Sequence, residues 1–145
     1  MKDVQTSLMV MPVEKEHLGL IWNQVAEVLE KSAQTTDGKF EVNDILVRLV
    51  NDTMVLWVVI DDETNLVVAA ITTRIIDYPR FKALAMDWIG GSRMNEWLPV
   101  AMEKIKEHAK INDCKHLEGY GRKAWGRWLR KYNWKPEYIA YKMEL

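Results

Sequence analysis

The sequence predicts an α+β domain in which a mixed, mostly antiparallel central sheet carries helices on both faces. The predicted elements run in the order strand, two helices, three strands, helix, strand, helix, strand. Successive strands joined by tight turns favour an antiparallel meander, and two strands separated by a long helix favour a parallel pair with a right-handed crossover. The chain has 145 residues, of which 48% are hydrophobic, so we expect one core and a single domain over residues 1–145.

Apolar patterning in the first third of the chain predicts one strand and two helices. Residues 7–12 form a short strand, and residues 32–40 form a polar connection that overhangs a site. A second, short helix over residues 42–50 is predicted to have Asn43 as its N-cap. The longer first helix, over residues 14–31, has an apolar stripe at helical spacing: Leu18, Ile21, Trp22, Val25, Val28 and Leu29. The short helix is expected to turn inward Leu46, Leu49 and Val50.

Three dense β runs follow in the middle of the chain. Residues 54–61 and 66–76 are separated by a tight polar turn at residues 62–65, which predicts a hairpin. A second turn at residues 77–79 leads into the apolar strand at residues 81–89. We therefore expect three consecutive antiparallel strands.

The most regular helical pattern begins after the paired glycines at residues 90–91. Apolar residues recur there at three-and-four spacing, and the charged residues fall largely outside this stripe. The stripe consists of Met94, Trp97, Leu98, Ala101, Met102, Ile105 and Ala109.

The first residue of this helix has two interpretations. Proline lacks an N–H group and is tolerated best in a first turn. Pro99 therefore favours Asn95 as the N-cap, with Glu96 opening the helix. The alternative is a kinked helix that starts at Ser92.

The junction between the strand and this helix is the first candidate site. The free N–H groups of a helix's first turn and the positive end of its dipole bind phosphates at such turns. Gly90 and Gly91 suit the close approach of an anion, although paired glycines also occur where a helix and a strand only need to pack. Arg93 is the one cation between Lys82 and Lys104 in the sequence, which makes it a candidate phosphate clamp.

The C-terminal third is predicted to hold a strand at residues 114–120, a helix at residues 121–132 and a last strand at residues 136–144. Residues 121–135 contain six Lys or Arg and no acidic residue. The basic side of the predicted helix is interpreted as a solvated surface, or as a contact for phosphate groups or nucleic acid. Its apolar side consists of Trp125, Trp128, Leu129 and Tyr132.

Composition argues against several classes of protein. Twenty Lys and Arg against 21 Asp and Glu provide no overall charge for binding a polyanion. The sequence shows no signal-peptide pattern and no apolar run of membrane length, so we expect a soluble, cytoplasmic protein. The one cysteine, Cys114, is interpreted as a small apolar strand residue. His17 has no second ligand at a recognised spacing, so no metal site is predicted.

Two stretches near the end of the chain, WLPVAMEKIKEHAK at residues 97–110 and CKHLEGYGRKAWGRWLRKYNW at residues 114–134, carry a resemblance to a known family. Together with the element order and the paired glycines, they resemble the GNAT superfamily of N-acetyltransferases over nearly the whole chain. They look most like compact GNAT-like proteins often carried by bacteriophages, in which a Gly-Arg-x-x-Trp element, here Gly121, Arg122 and Trp125, opens the last helix. The resemblance implies a GNAT-like fold with a splayed parallel pair, and acetyl-CoA bound at the glycine turn.

The resemblance also implies which residues bind the cofactor. They are Trp88, Ile89, Gly90, Gly91, Ser92, Arg93, Asn95, Glu96 and Arg122. The usual family turn reads Arg or Gln, two residues, Gly, one residue, Gly or Ala. This sequence departs from that pattern because its glycines come earlier, Glu96 adds a negative charge and Pro99 removes a donor. The tyrosine that commonly serves as the acid in the family aligns with Leu129.

Acetyl transfer from a thioester to an amine needs a base for the amine, donors to the developing oxyanion and an acid for the leaving thiolate. By resemblance, backbone N–H groups near Trp88 and Ile89 are the oxyanion donors. The candidate bases beside the predicted splay are Asp87 and Glu118, and the candidate acids are Tyr120 and Tyr132.

Three functions follow from these observations. The first is an N-acetyltransferase that moves acetyl from acetyl-CoA to a small-molecule or protein amine. The second is a non-catalytic GNAT-fold module of a bacteriophage, either a virion component or an effector against a host protein, which the altered turn and the missing tyrosine favour. The third is nucleic-acid binding through the basic last helix, which the balanced overall charge disfavours.

Overall fold

The computed structural model describes residues 7–36, 38–51, 54–121 and 125–145. In this part of the chain one five-stranded sheet has the order β1-β2-β3-β4-β5. Its strands are β1 Leu8–Val13, β2 Val55–Asp61, β3 Leu66–Asp77, β4 Lys82–Gly91 and β5 Cys114–Gly119. Strands β1 to β4 pair antiparallel in succession, and β4 pairs with β5 in parallel. The predicted mixed sheet is therefore confirmed.

Helices cover both faces of the sheet, as predicted. Helices α1, Leu18–Gln34, and α2, Val42–Val50, pack on one face together with Trp88 of β4. Helix α3, Met94–Ile111, connects β4 to β5 and packs on the other face. Its predicted stripe is confirmed by the buried residues Trp97, Leu98, Ala101, Met102, Ile105 and Ala109. None of the helices in the described ranges combines the length and apolar character that a bilayer crossing requires.

Strands β4 and β5 separate part of the way along β4. Their pairing ends where Met86 lies opposite Gly119, and residues 87–91 of β4 have no partner in β5. Ligands of such sheets bind where neighbouring strand ends diverge. This splay therefore defines where a site is expected.

A β-bulge lies at the start of the splay. Thr72 of β3 pairs with Trp88, and the next residue, Thr73, pairs with Met86. Asp87 is therefore the extra residue, which a bulge leaves outside the regular pairing. Because the bulge coincides with the end of the β5 pairing, Asp87 lies at the mouth of the splay.

The ends and faces of α1 and α2 differ from the prediction. A 3₁₀ turn at Lys15–His17 precedes α1, which continues to Gln34. The N-cap of α2 is Glu41 rather than Asn43, and the Asp44 carboxylate accepts the Glu41 N–H at 2.8 Å. Helix α2 buries Ile45 and Leu49, and leaves Leu46 half-buried and Val50 exposed.

The C-terminal segment differs most from the prediction. Instead of a helix over residues 121–132, the structure has α4, Gly126–Leu129, and a 3₁₀ turn at Arg130–Tyr132, with residues 122–124 outside the described ranges. The predicted strand at residues 136–144 is wrong, because this segment has no regular structure. A segment with suitable residue types forms a strand only where it can pair with another strand. In the described part of the chain, β5 pairs only with β4, so residues 136–144 do not extend the sheet.

Candidate active site

The polypeptide passes from β4 into α3 through Ser92 and Arg93. Arg93 is the N-cap of α3 and adopts the left-handed conformation, with φ of 59°. The predicted caps, Asn95 and Ser92, are therefore wrong. Pro99 lies beyond the first turn, where it leaves the carbonyl of Asn95 without its usual N–H partner.

Packing explains both glycines before this turn. They belong to β4 rather than to the turn. A Cβ at Gly90 would collide with the carbonyl oxygen of Val28 in α1, and a Cβ at Gly91, whose φ is 127°, would collide with Val68 and Ala69 of β3. Of the two interpretations left open by the sequence, the close-packing one accounts for both positions.

The side chain of Arg93 is paired with two carboxylates. Its Nη1 donates to Asp61 Oδ2 at 2.7 Å, and its Nε and Nη2 each donate to an oxygen of Glu96 at 2.9 Å. Arg93, the predicted phosphate clamp, is thus already paired with two carboxylates, and its role toward a phosphate stays a prediction. Sequence spacing does not reveal that β2, which ends at Asp61, lies beside the turn from β4 to α3. We call these residues the Asp61–Arg93–Glu96 triad.

Both carboxylates of the triad are stabilised in the ionised form. The backbone N–H of Glu63, the Arg93 guanidinium and the Ser7 hydroxyl donate to Asp61 and lower its pKa. The guanidinium of Arg93 likewise lowers the pKa of Glu96. One guanidinium therefore faces two ionised carboxylates, and the triad carries an excess of negative charge.

This turn does not fit the diphosphate of CoA as it stands. A diphosphate would bring further negative charge beside Asp61 and Glu96. Two backbone donors of the turn are also in use, because the N–H of Ser92 donates to the Val68 carbonyl and the N–H of Glu96 to the Arg93 carbonyl, each at 2.9 Å. Arg122, the other cation assigned to the cofactor by resemblance, lies outside the described residues.

A second polar group, the Glu118 cluster, lies on β5 and beside it. The Glu118 carboxylate accepts the Tyr78 hydroxyl at 2.8 and 2.9 Å and the Tyr120 hydroxyl at 3.0 Å, and its Oε2 lies 2.8 Å from His116 Nε2. The Glu118 side chain is 11% exposed, whereas Tyr78 and Tyr120 are 38% and 50% exposed. A partly buried carboxylate thus accepts hydrogen bonds from two exposed tyrosines.

Burial and hydrogen bonding act in opposite directions on this cluster. Burial favours the neutral form of Glu118, but hydrogen bonds from His116, Tyr78 and Tyr120 outweigh it and lower the pKa of Glu118. Burial, together with the hydrogen bond to Glu118, raises the pKa of Tyr120, and the bond to Glu118 raises that of Tyr78. At neutral pH the cluster therefore holds an ionised carboxylate between neutral tyrosines.

The other predicted base, Asp87, is held by an arginine. Arg74 donates from Nε to Asp87 Oδ2 at 2.7 Å and from Nη2 to Oδ1 at 3.1 Å. Arg74 and Glu118 are both register partners of Ala85, so the ion pair and the Glu118 cluster share one face of the sheet. Asp87 neutralises Arg74, and Glu118 is the carboxylate on this face without a permanent cation as partner among the residues described.

Of the predicted oxyanion donors, the N–H of Trp88 already has a partner. It donates to the Thr72 hydroxyl at 3.2 Å. The carbonyl of the next residue, Ile89, accepts the Ser32 hydroxyl. The indole N–H of Trp88 is buried without an acceptor among the described residues, and the Trp88 and Phe40 rings form a T-shaped pair with centroids 5.2 Å apart. The connection that contains Phe40 thus packs over β4.

Tyr132, the second predicted acid, lies on the other face of the sheet. Tyr132 and Leu129 both pack against the α3-side core, whereas the Glu118 cluster lies on the face of Ala85. The structure therefore does not bring Tyr132 together with either carboxylate. The exposed basic residues of this segment, Arg127, Arg130, Lys131 and Lys135, face solvent. In the described ranges no group of His, Cys, Asp and Glu side chains is arranged to hold a metal ion.

Four residues of these sites were missed by the sequence analysis: Arg74, Tyr78, His116 and Asp61. A signal existed for His116, because residues 116, 118 and 120 alternate along β5 and share a face. Tyr78, Arg74 and Asp61 reach their partners through strand register and turn position, which leave no mark in the local sequence.

The sequence matches no protein-family model, and no curated protein matches it. Solved structures of acetyltransferases are similar to it along nearly the whole chain. Glucosamine-6-phosphate N-acetyltransferase from Arabidopsis thaliana matches with a TM-score of 0.69 and 16% identity, over 94% of this chain and 97% of that one. An aminoglycoside acetyltransferase from an uncultured soil metagenomic sample, solved with sisomicin, matches with a TM-score of 0.69 and 10% identity, over 96% of this chain and 97% of that one.

A GNAT family acetyltransferase from Staphylococcus aureus matches with a TM-score of 0.66 and 12% identity, over 96% of this chain and 99% of that one. These likenesses agree with the sheet order, the splayed parallel pair and the helices on both faces. The chain therefore has the fold of the GNAT acetyltransferases.

Proposed function

We propose that this protein is an N-acetyltransferase whose acceptor is a small amine bound at the Glu118 cluster. The proposal depends on one observation, the partly buried Glu118 carboxylate that accepts from the hydroxyls of two exposed tyrosines. Acetyl-CoA is the donor that the resemblance implies. The similar enzymes named for glucosamine-6-phosphate and aminoglycosides support an amine as the acceptor.

The cluster suits a protonated amine. Tyr78 and Tyr120 donate their hydroxyl protons to Glu118, and each hydroxyl oxygen keeps lone pairs that accept from a ligand. An ammonium group that donates to these oxygens lies close to the Glu118 charge, which stabilises it. Arg74 does not oppose this binding, because Asp87 neutralises it.

An ammonium must lose a proton before its nitrogen attacks an acetyl carbon. A tyrosine hydroxyl of the cluster takes that proton while passing its own to Glu118, so the net transfer is from the amine to the carboxylate. His116, which contacts the Oε2 of Glu118, holds the carboxylate in position. A bound thioester would supply the acetyl group: the amine nitrogen would form the new C–N bond as the C–S bond breaks, and the departing thiolate would take up the second proton that the nitrogen loses.

The test is thiol release from acetyl-CoA in the presence of aminoglycosides, glucosamine 6-phosphate, polyamines and lysine peptides. Glu118→Gln should lower kcat/KM by about a hundredfold or more, the usual contribution of a general base. The matched control is Glu103→Gln, which removes an exposed carboxylate paired with Lys106 on α3 and should leave kcat/KM unchanged. Melting temperatures of both variants separate lost chemistry from lost folding. Failure of every amine to accelerate thiol release by the natural protein contradicts the proposal.

A non-catalytic GNAT-fold protein is the second candidate, and the Asp61–Arg93–Glu96 triad is the observation that favours it. By resemblance, such a protein belongs to a bacteriophage, as part of the particle or as a ligand of a host protein. On this hypothesis, acetyl-CoA leaves the melting temperature unchanged, and mass spectrometry detects the chain in purified phage particles or bound to a host protein. Amine-dependent turnover that Glu118→Gln abolishes would rule it out.

A further inference from the structure

The Asp61–Arg93–Glu96 triad lies at the turn where the resemblance places the diphosphate of the donor. We infer that the triad excludes a diphosphate, so that the protein recognises its thioester donor by the pantetheine arm and binds CoA no better than pantetheine itself. This inference rests on the proposed function, because it concerns the donor of the same reaction.

The geometry of Arg93 carries the first step. All three guanidinium nitrogens donate to carboxylate oxygens, two of them in a bidentate pair with Glu96. Bidentate pairs between arginine and a carboxylate are among the strongest hydrogen-bonded contacts of a protein. A phosphate at Arg93 would have to compete with Glu96 and Asp61, whose carboxylates occupy three of the five guanidinium N–H groups.

Asp61 would stay at the turn even if Arg93 moved. Its carboxylate also accepts the Ser7 hydroxyl and the Glu63 N–H, both at 2.9 Å, and only 6% of the residue is exposed. These bonds hold a negative charge beside the turn independently of Arg93. A diphosphate would therefore meet a fixed like charge.

Glu96 already fills the role that an anion has at a helix N-terminus. It is the third residue of α3, where a carboxylate interacts favourably with the positive end of the helix dipole. Two features of the backbone disfavour a second anion beside it. The Ser92 N–H already donates to the Val68 carbonyl, and the Val28 carbonyl of α1 lies against Gly90. Glu96 thus acts as an internal substitute for the phosphate.

The experiment measures the binding of CoA and of pantetheine, which has the same thiol arm without diphosphate or adenosine, by isothermal titration. For the natural protein the two dissociation constants should agree within about threefold. Glu96→Gln removes the internal anion and should tighten CoA binding by about tenfold while leaving pantetheine unchanged. Asp61→Asn should act in the same direction, and Glu103→Gln, an exposed change on the same helix, should alter neither constant.

Two outcomes would overturn the inference. One is a natural protein that binds CoA at least about tenfold more tightly than pantetheine. The other is a folded Glu96→Gln variant whose affinity for CoA is unchanged. A natural protein that binds neither ligand, with CoA binding gained in Glu96→Gln, supports exclusion of the diphosphate by the triad but contradicts both recognition by the pantetheine arm and the proposed acetyltransferase. Equal kcat/KM for acetyl-CoA and S-acetylpantetheine supports both.

Discussion

The Glu118 cluster and the Asp61–Arg93–Glu96 triad each hold a carboxylate that is largely shielded from solvent, but the partners of the two carboxylates differ. Exposed tyrosine hydroxyls and an imidazole surround Glu118. Asp61 is instead held by a guanidinium, a backbone N–H and a serine hydroxyl. The hydroxyls at Glu118 are neutral and open to solvent, so a ligand can bind to them without breaking an ion pair. A partly buried carboxylate is therefore suited to binding a ligand when neutral, exposed groups donate to it, and to stabilising the fold when a guanidinium and the backbone donate to it.

The largest expected effect concerns the core below the triad. Trp97 is 1% exposed, and its indole N–H donates to the Ser92 carbonyl at 2.7 Å. Trp97→Ala should lower the free energy of unfolding by about 3 to 5 kcal/mol, the range for truncating a buried aromatic residue. Urea denaturation measures this loss, and Trp97→Phe, which keeps most of the ring, should cost less. An unchanged urea midpoint for Trp97→Ala would contradict this prediction, because it would show that the core below the triad does not depend on the Trp97 side chain.

The next effect concerns the ion pair beside the Glu118 cluster. Arg74→Met leaves Asp87, whose side chain is 11% exposed, without its bidentate partner. We expect a loss of about 1 to 2 kcal/mol in the free energy of unfolding, since charge-assisted bonds contribute more than neutral ones but solvent screens this pair in part. Adding Asp87→Asn should recover part of the loss. The control is Arg80→Met in the exposed turn; equal losses for Arg74→Met and Arg80→Met would mean that the pair contributes nothing.

A smaller effect, on the dissociation constant of CoA, distinguishes a phosphate-binding role of Arg93 from a structural one. Before the structure is considered, Arg93→Ala is expected to weaken CoA binding strongly, because a charge-assisted contact to phosphate would be lost. With Arg93 paired to Asp61 and Glu96, we expect the dissociation constant of CoA to change by less than about threefold. Isothermal titration of CoA into the folded Arg93→Ala variant decides between these two expectations. Weakening of tenfold or more would mean that Arg93 leaves its carboxylates for the ligand.

The smallest expected effect is the pH dependence of stability, to which the core and the triad contribute in different pH ranges. His108 is half-buried on α3 beside the edge of Trp57, with ring centroids 5.3 Å apart, and burial lowers its pKa from the ordinary 6.5. The unfolded chain therefore binds a proton more readily than the folded chain. Stability contributed by the neutral imidazole is complete above pH 6.5 and is lost as the pH falls toward the lowered folded pKa.

Between about pH 7 and about pH 5.5, this loss should stay below about 1 kcal/mol, and His108→Gln should remove it. Melting temperatures at the two pH values provide the measurement, with His17→Gln, an exposed histidine, as the control. The carboxylates of the triad, whose pKa values are lowered from 3.8 and 4.5, lose their contribution only in stronger acid. A decline that persists in His108→Gln would place the sensitive group elsewhere.

The sequence by itself determined the face that α3 buries and the antiparallel run of β2 to β4. Helical spacing decides which side chains share a face, because the backbone repeats about every 3.6 residues wherever the helix forms. The same local rules explain the errors. Pro99 suggested a later start for α3, but burial of Trp97 and its neighbours outweighs one missing backbone bond. The segment at residues 136–144 has residue types suited to a strand, but it pairs with no strand within the described ranges.

Only the tertiary structure decided which charges meet. Asp61 and Arg93 are 32 residues apart, and Arg74 and Asp87 are 13 apart; their distances depend on the end of β2, the register of β3 with β4 and the bulge at Asp87. A one-residue change of register between β3 and β4 would turn Arg74 and Asp87 to opposite faces of the sheet. Glu118 was identified from its residue type, whereas its burial behind Tyr78 follows from the turn between β3 and β4. Electrostatic partners are set by packing across distant segments, and local sequence patterns do not contain that information.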